Sequence, residues 1–526
     1  MGRLTAKNDA ACLSLLAFPQ SVSIPLPCIT AYSDSCRIFS VLGEAAVVFP
    51  CKCCETVNRQ FGFSLFSICT RSIVMAREFP LVPQDAKKVE TRYRRIATAI
   101  PVPESVPMLE EMRRCEPRSM SGQPPILWAK GDGVCVIDPW GNRFLDFSSG
   151  VLVTGCGHAH PRITAAIQAQ AAALYHAYCF PSAPRIELVQ KLVSLTPEPL
   201  NKVFLLTTGA EATECCIKLG MTWGRRNGGP RKRRVVSFHN SFHGRTMGAQ
   251  YAGGSAALKE WLDPDPRFVQ VPYPDGFRER DISFDRFLSS LAEQSVDAQD
   301  VCLVLSETYP GVDVSMWTRE YAARMREWCN QHNIVLALDE VQAGFGRTGK
   351  WFGFEHLGIV PDLIACGKGI AGGMPLSAVI GRPEVMDLYP PGAMTSTHSA
   401  NTVCCAAALA NIKVIEEEGL VENAARLEAV LRDGASRIAQ SAKGRIATAN
   451  TRGLVAALQF VHSGTTDPDA ELAWQVTKRA VESGLMLFAP VGVGGGAIKI
   501  CPPLIINEEA LREGLEVLRE IVAELA

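Results

Sequence analysis

The chain has 526 residues, 47% of them hydrophobic, with 53 basic and 54 acidic residues and a formal net charge of −1. That length and apolar content exceed what a disordered chain carries and suffice for a large core or two packed domains. So even a charge balance gives no electrostatic case for nucleic acid or a membrane surface as partner, and directs attention to small ligands in a pocket.

Residues 1–74 show no helical period and no hairpin signal. The stretch AACLSLLAF (10–18), behind Arg3 and Lys7, resembles the apolar centre of a signal peptide. It is too short to span a bilayer and has no small-residue cleavage site. These residues read as an extension outside the fold, with a targeting segment as the alternative. Seven of the 19 cysteines fall before Met75. Among them Cys51, Cys53 and Cys54 cluster, but no second cysteine pair or histidine pair follows, so no metal site is expected. The other twelve sit in apolar runs and read as small buried thiols of a reducing compartment, the cytoplasm.

From Pro125 to Phe147, apolar residues alternate with the turn pairs Asp132-Gly133 and Gly141-Asn142, which predicts a small antiparallel meander. A helical pattern follows His160-Pro161. Beyond residue 200, short apolar runs alternate with helical stretches: VFLLT (203–207), then a helix over 210–224, then VVSF (235–238), VCLVLS (301–306), IVLALD (334–339) and LIACG (363–367). Such runs predict fully buried strands of a mainly parallel sheet with helices on both faces. The basic run Arg231, Lys232, Arg233, Arg234 reads as a solvated loop. After residue 420 come long helices (421–441, 468–484, 507–525) and strands near LVAALQFV and AIKI, a smaller α+β unit. The division expected is 75–160 as an N-terminal segment, 161–419 as a large domain and 420–526 as a small one.

Ligands of such sheets bind beyond the carboxyl ends of the strands, so the polar residues ending the runs carry the chemistry. IVLALD ends at Asp339, and a buried carboxylate is costly unless paired. Twenty-nine residues later PDLIACGKG places Lys368 between two glycines at another strand end. An aromatic aldehyde bonded to the lysine, with its ring nitrogen facing the aspartate, satisfies both groups at once. Taken singly each feature has a plainer reading: a capping aspartate, a surface lysine, a capped helix start in TTGAEA, a core Phe242. Their order along one strand-helix pattern argues against four coincidences.

These segments resemble the class III (ω-amino acid) aminotransferases of pyridoxal-phosphate fold type I, over about residues 95–526. The resemblance implies an α/β fold: a large domain with a mainly parallel, seven-stranded sheet between helices, and a smaller α+β domain from the N- and C-terminal segments. It implies pyridoxal 5'-phosphate as cofactor, Lys368 as the Schiff-base lysine and Asp339 as the partner of the ring nitrogen. It places Gln342 at the ring's phenolic oxygen, Phe242 on the ring face, His243 in support, and Thr208, Gly209 and Ala210 at the phosphate. In GAMTSTHSANTV, Thr397 matches the threonine that reaches the phosphate of a neighbouring subunit, which implies a homodimer; Thr402 replaces the usual proline after Asn401.

Resemblance to 4-aminobutyrate aminotransferases implies that Arg245 holds the distal carboxylate of an ω-amino acid, a task suited to its planar fork. It also implies that Val151 lines the substrate channel and that Glu307 masks a second cation. The family arginine at that cation position is Lys499 here, in AIKICPPL, able to pair with Glu307 but as a point charge. The EPVQG-like family segment is ETYPG (307–311). The expected reaction moves an amino group from 4-aminobutyrate or a related ω-amino acid to 2-oxoglutarate or pyruvate. The alternatives are a phospho-lyase, decarboxylase or epimerase on the same scaffold, and a binding protein without turnover.

Overall fold

The computed structural model describes residues 77–526, which lie in one compact unit. The expected extension over residues 1–74 and its seven cysteines lie outside the described residues. The chain begins with β1 (Val89–Glu90) and β2 (Arg95–Ile96), then helix α1 (Val106–Cys115). The meander follows as β3 (Lys130–Asp132), β4 (Cys135–Ile137) and β5 (Arg143–Asp146), joined antiparallel. Helices α2 (Pro161–Ala173) and α3 (Ala183–Ser194) lead into the main sheet.

That sheet comprises β6 (Lys202–Leu206), β7 (Arg234–Phe238), β8 (Phe268–Val271), β9 (Val301–Glu307), β10 (Val335–Asp339), β11 (Leu363–Cys366) and β12 (Ser377–Gly381). Its order is β6-β12-β11-β10-β9-β7-β8, and only β12 runs against the rest. All seven residues of β9 are buried, as a strand covered on both faces requires. Helix α4 (Gly209–Gly228) lies against it with almost no gap. A Cβ on Gly224 would fall 2.3 Å from Cys302 Cβ, and one on Gly220 2.8 Å from Leu303 Cβ. Helix α5 (Phe284–Glu293) and α6 (Arg319–Gln331) complete the cover.

The chain continues through α7 (Thr402–Glu417) and α8 (Leu420–Ser441) into a three-stranded antiparallel sheet. Its strands are β13 (Ile446–Arg452), β14 (Val455–Phe460) and, after α9 (Ala470–Glu482) and β15 (Leu485–Met486), β16 (Ala497–Ile500). Strand β15 returns to pair with β5, tying the late chain to the early meander. Helix α10 (Glu508–Leu525) closes the fold and crosses α8 where Gly434 meets Leu515. No helix among the described residues is long and apolar enough to cross a membrane.

Two expectations need correction. Lys232 is not solvated: it is 2% exposed, and its ammonium donates to the His332 carbonyl at 2.6 Å. Of the twelve later cysteines ten are buried, but Cys115 and Cys179 are exposed.

Candidate active site

Strands β9, β10 and β11 run parallel, with Asp339 in register with Glu307 on one side and Ala365 on the other. Three residues past Ala365 the chain places Lys368 at φ 43, left-handed geometry that costs a non-glycine residue about 1 kcal/mol. Burial pulls the Lys368 pKa down, while Asp339, Glu307 and Cys501 nearby push it up. Asp339 is 5% exposed and bonded at both oxygens: Oδ2 lies 2.8 Å from His243 Nδ1, and Oδ1 accepts from the Val341 amide at 3.0 Å. The partner a buried aspartate needs is therefore His243, itself buried, with Nε2 unpartnered among the described residues.

Helix α4 opens beside these strand ends. Thr208 caps it in a reciprocal box: its hydroxyl accepts from the Glu211 amide at 3.2 Å, and the Glu211 carboxylate accepts from the Thr208 amide at 2.8 Å. The amides of Gly209 and Ala210 lie in the first turn and have no intrahelical acceptor. A Cβ on Gly209 would sit 3.0 Å from a Val341 methyl, and one on Gly367 would sit 3.4 Å from the Gly209 Cα. The helix start, Val341 and the turn into Lys368 thus pack together. Thr207, Thr208 and Glu211 also line an open cavity of about 670 Å³ with Tyr175, Ser396 and His398. Thr397 is exposed between the last two.

On the other flank, the Phe242 amide donates to Glu307 Oε2 at 3.0 Å. The exposed Arg245 guanidinium lies 5.7 Å from the centre of the Phe242 ring. Glu307 Oε1 accepts from the Gly311 amide at 2.9 Å. Burial lifts Glu307 to about 7, with Asp339 adding to the rise and His243 and the two amides opposing it. The expected Glu307–Lys499 pair is not direct: Lys499 donates to Gln342 Oε1 at 2.7 Å, and Gln342 Nε2 reaches Glu307 at 3.4 Å. A neutral amide thus stands between the two charged groups.

Residues 118–522 match the family model of aminotransferase class-III. The chain belongs to the class III aminotransferases. It is 35% identical over 447 residues to a 4-aminobutyrate aminotransferase of Mycobacterium leprae, covering 82% of this chain and 98% of that one. It is 34% identical over 402 residues to an acetylornithine aminotransferase of Gloeobacter violaceus, covering 76% and 94%. Among solved structures it is similar to a transaminase from the marine bacterium Virgibacillus, with TM-score 0.72, 25% identity, and coverage of 80% and 99%. This class III aminotransferase is a pyridoxal-phosphate-dependent ω-amino acid transaminase of fold type I, and the lyase, decarboxylase and epimerase readings are not favoured. The donor set fits that cofactor. A buried acid suits a ring nitrogen, an amine suits an aldehyde, and two free amides at a helix N-terminus suit a phosphate.

Several residues of this aminotransferase escaped the reading of its sequence. Glu340, fully buried, accepts from the Gly353 and Phe354 amides at 2.8 Å each and from the Thr308 hydroxyl at 2.5 Å. Burial lifts it to about 7. Arg347, 3% exposed, donates to the Leu454 carbonyl at 2.8 Å and the Pro502 carbonyl at 2.6 Å, and approaches the Ser149 hydroxyl at 3.4 Å. Asp146 pairs with His158 at 2.7 Å and accepts from the Ser148 amide at 2.7 Å. It thereby holds a turn in which Ser149, Val151 and Leu152 have φ of 50, 66 and 62. Left-handed backbone at a β-branched residue is strained, so Val151 is fixed by its surroundings. It lines a cavity of about 440 Å³ with Met112, Trp128 and Phe488. The sequence carries one signal for Arg347: it lies in the same FGRTG segment that follows Asp339.

Proposed function

We propose that this enzyme transfers the amino group of 4-aminobutyrate, or of a closely related ω-amino acid, to pyruvate or 2-oxoglutarate, with Lys368 holding the cofactor. When bound, pyridoxal 5'-phosphate supplies an electron sink for the pair left behind when the donor's C–H bond breaks. Asp339, oriented by His243, would face the ring nitrogen and keep its proton in place. Lys368, its pKa drawn down by burial, takes the proton from the donor's amine-bearing carbon and returns it one step later. Phe242 would cover one face of the ring, and Gln342 would meet its phenolic oxygen. Gly209, Ala210 and Thr208 would hold the phosphate through the start of α4.

Arg245, exposed near the Phe242 ring, receives the donor's distal carboxylate, and Val151 lines the substrate channel. Glu307 and Lys499 form the second carboxylate region. Thr397 serves the neighbouring site of a homodimer, consistent with its exposure beside the open cavity at the α4 start. We further place residues 161–419 in the cofactor-binding domain and 420–526 in the smaller one, and the protein in the cytoplasm, where its buried thiols stay reduced.

The observation that carries this reading is the Asp339–His243 pair set beside the turn into Lys368. The test is a panel of amines added to the holoenzyme while the cofactor absorbance is followed. Conversion to the aminated form by 4-aminobutyrate, and recovery on adding pyruvate or 2-oxoglutarate, is the expected result. Turnover at the wild-type rate by Lys368→Ala would overturn it, and so would carbon dioxide or phosphate release without an oxo-acid product.

A further inference from the structure

The chain that links Lys499 to Glu307 is asymmetric. Glu307 is anchored to main chain on both sides, through the Phe242 amide at 3.0 Å and the Gly311 amide at 2.9 Å. Swinging that carboxylate away strands two buried donors. Gln342 is held by side-chain contacts, to Lys499 at 2.7 Å and to Glu307 at 3.4 Å. Its amide nitrogen sits against Gly311, where an added Cβ would fall 2.0 Å from Nε2. The glycine of the altered ETYPG segment thus makes the room that the amide occupies.

We propose that Gln342 is a latch: it holds the Lys499 ammonium in reserve and yields it to the carboxylate of the incoming 2-oxo acid, while Glu307 stays fixed. This rests on the transaminase reading above and assigns the moving part within it. A neutral latch releases its cation without separating an ion pair. It also leaves that cation with no carboxylate in contact. Burial holds Lys499 down at about 8; Cys501 just past its strand and Glu307 at the end of β9 raise it, and Lys368 after β11 and Arg347 after β10 lower it. Ala457 across β14 and the Tyr309 ring, 5.5 Å from Nζ, add no charge at neutral pH. The acceptor's carboxylate site therefore loses its charge in mild alkali, which a guanidinium there would not do.

The test is calorimetric binding of propionate, a non-reacting monocarboxylate, to the holoenzyme. Affinity should fall about tenfold between about pH 7 and about pH 9 in the wild type, following loss of one proton. Lys499→Arg should remove most of that fall, leaving only the part due to ionisation of Glu307, whose own pKa lies at about 7. At neutral pH Gln342→Met should tighten binding and Gln342→Glu, which adds a counter-charge, should weaken it. Glu307→Gln should change it less than either. A fall that survives undiminished in Lys499→Arg overturns the latch, as does tightening by Glu307→Gln in place of Gln342→Met. The donor half-reaction, read by cofactor absorbance on the same preparations, separates the two claims: its failure in the wild type overturns the ω-amino acid reading, whereas the binding series judges the latch by itself.

Discussion

Arg347 ties together the turn that carries Val151 and the strand exit that follows Lys499, and its removal is the most informative single change. In Arg347→Met the side-chain volume is roughly kept, but the Leu454 and Pro502 carbonyls lose their donor. Each stranded buried acceptor costs about 1–3 kcal/mol. The loss of the Ser149 contact adds to this, and relief from burying the guanidinium, whose pKa burial already depresses, offsets part. A net loss of about 4 kcal/mol follows. An unfolding entropy of about 2.1 cal/mol/K per residue gives about 1 kcal/mol/K for the ordered chain, so Tm should fall by about 4 °C. Scanning calorimetry of the holoenzyme reads this directly. The half-reactions should also slow, since Ser149 and Pro502 both move. Wild-type Tm together with wild-type half-reactions would refute the claim that this cation clamps the site.

Three other changes test separate parts of the structure. Asp339→Asn keeps the shape but not the charge beside the ring nitrogen, and should cut the donor half-reaction rate by at least about 10²-fold, measured by stopped-flow absorbance. Glu340 has its pKa raised from 4.5 to about 7 by burial, so the folded state holds its proton more tightly than the unfolded state. Its contribution is therefore full at low pH and is lost as pH rises from 4.5 to about 7; Glu340→Gln should flatten the fall in stability over that window by about 1.4 kcal/mol per pH unit in urea titrations. Gly224→Ala would force a Cβ to within 2.3 Å of Cys302 Cβ and 2.5 Å of the Lys232 carbonyl, and overpacking of that kind should destabilise by about 1–3 kcal/mol, read as a lowered Tm.

The inner strands β7, β9, β10 and β11 were legible because they are buried and read as unbroken apolar runs, β9 most plainly, whereas the equally buried β12 escaped because its short SAVIG run begins and ends on small residues. Strand β8 escaped because it is an edge strand with alternating exposure, and β13 because its Ile-Ala-Thr-Ala-Asn-Thr-Arg run is mostly half-exposed and polar. At the site, Lys368 and Asp339 announced themselves as charged residues ending apolar strands. Arg347 and Glu340 did not, because each is satisfied by backbone groups with no side-chain pattern of their own, and the carbonyl partners of Arg347 lie 107 and 155 residues away. The Glu307–Lys499 expectation failed for a geometric reason: side-chain identity fixed the charges, but the intervening Gln342 amide decided which atoms meet.

The parallel register of β9, β10 and β11 has an evolutionary consequence. Asp339 and the turn into Lys368 hang from fully buried strands paired on both sides, whereas Arg245 and Val151 sit in loops and Lys499 on a different sheet. Lineages built on this scaffold can exchange one amine or oxo acid for another by changing the peripheral positions, with the bond-breaking machinery left untouched beneath them.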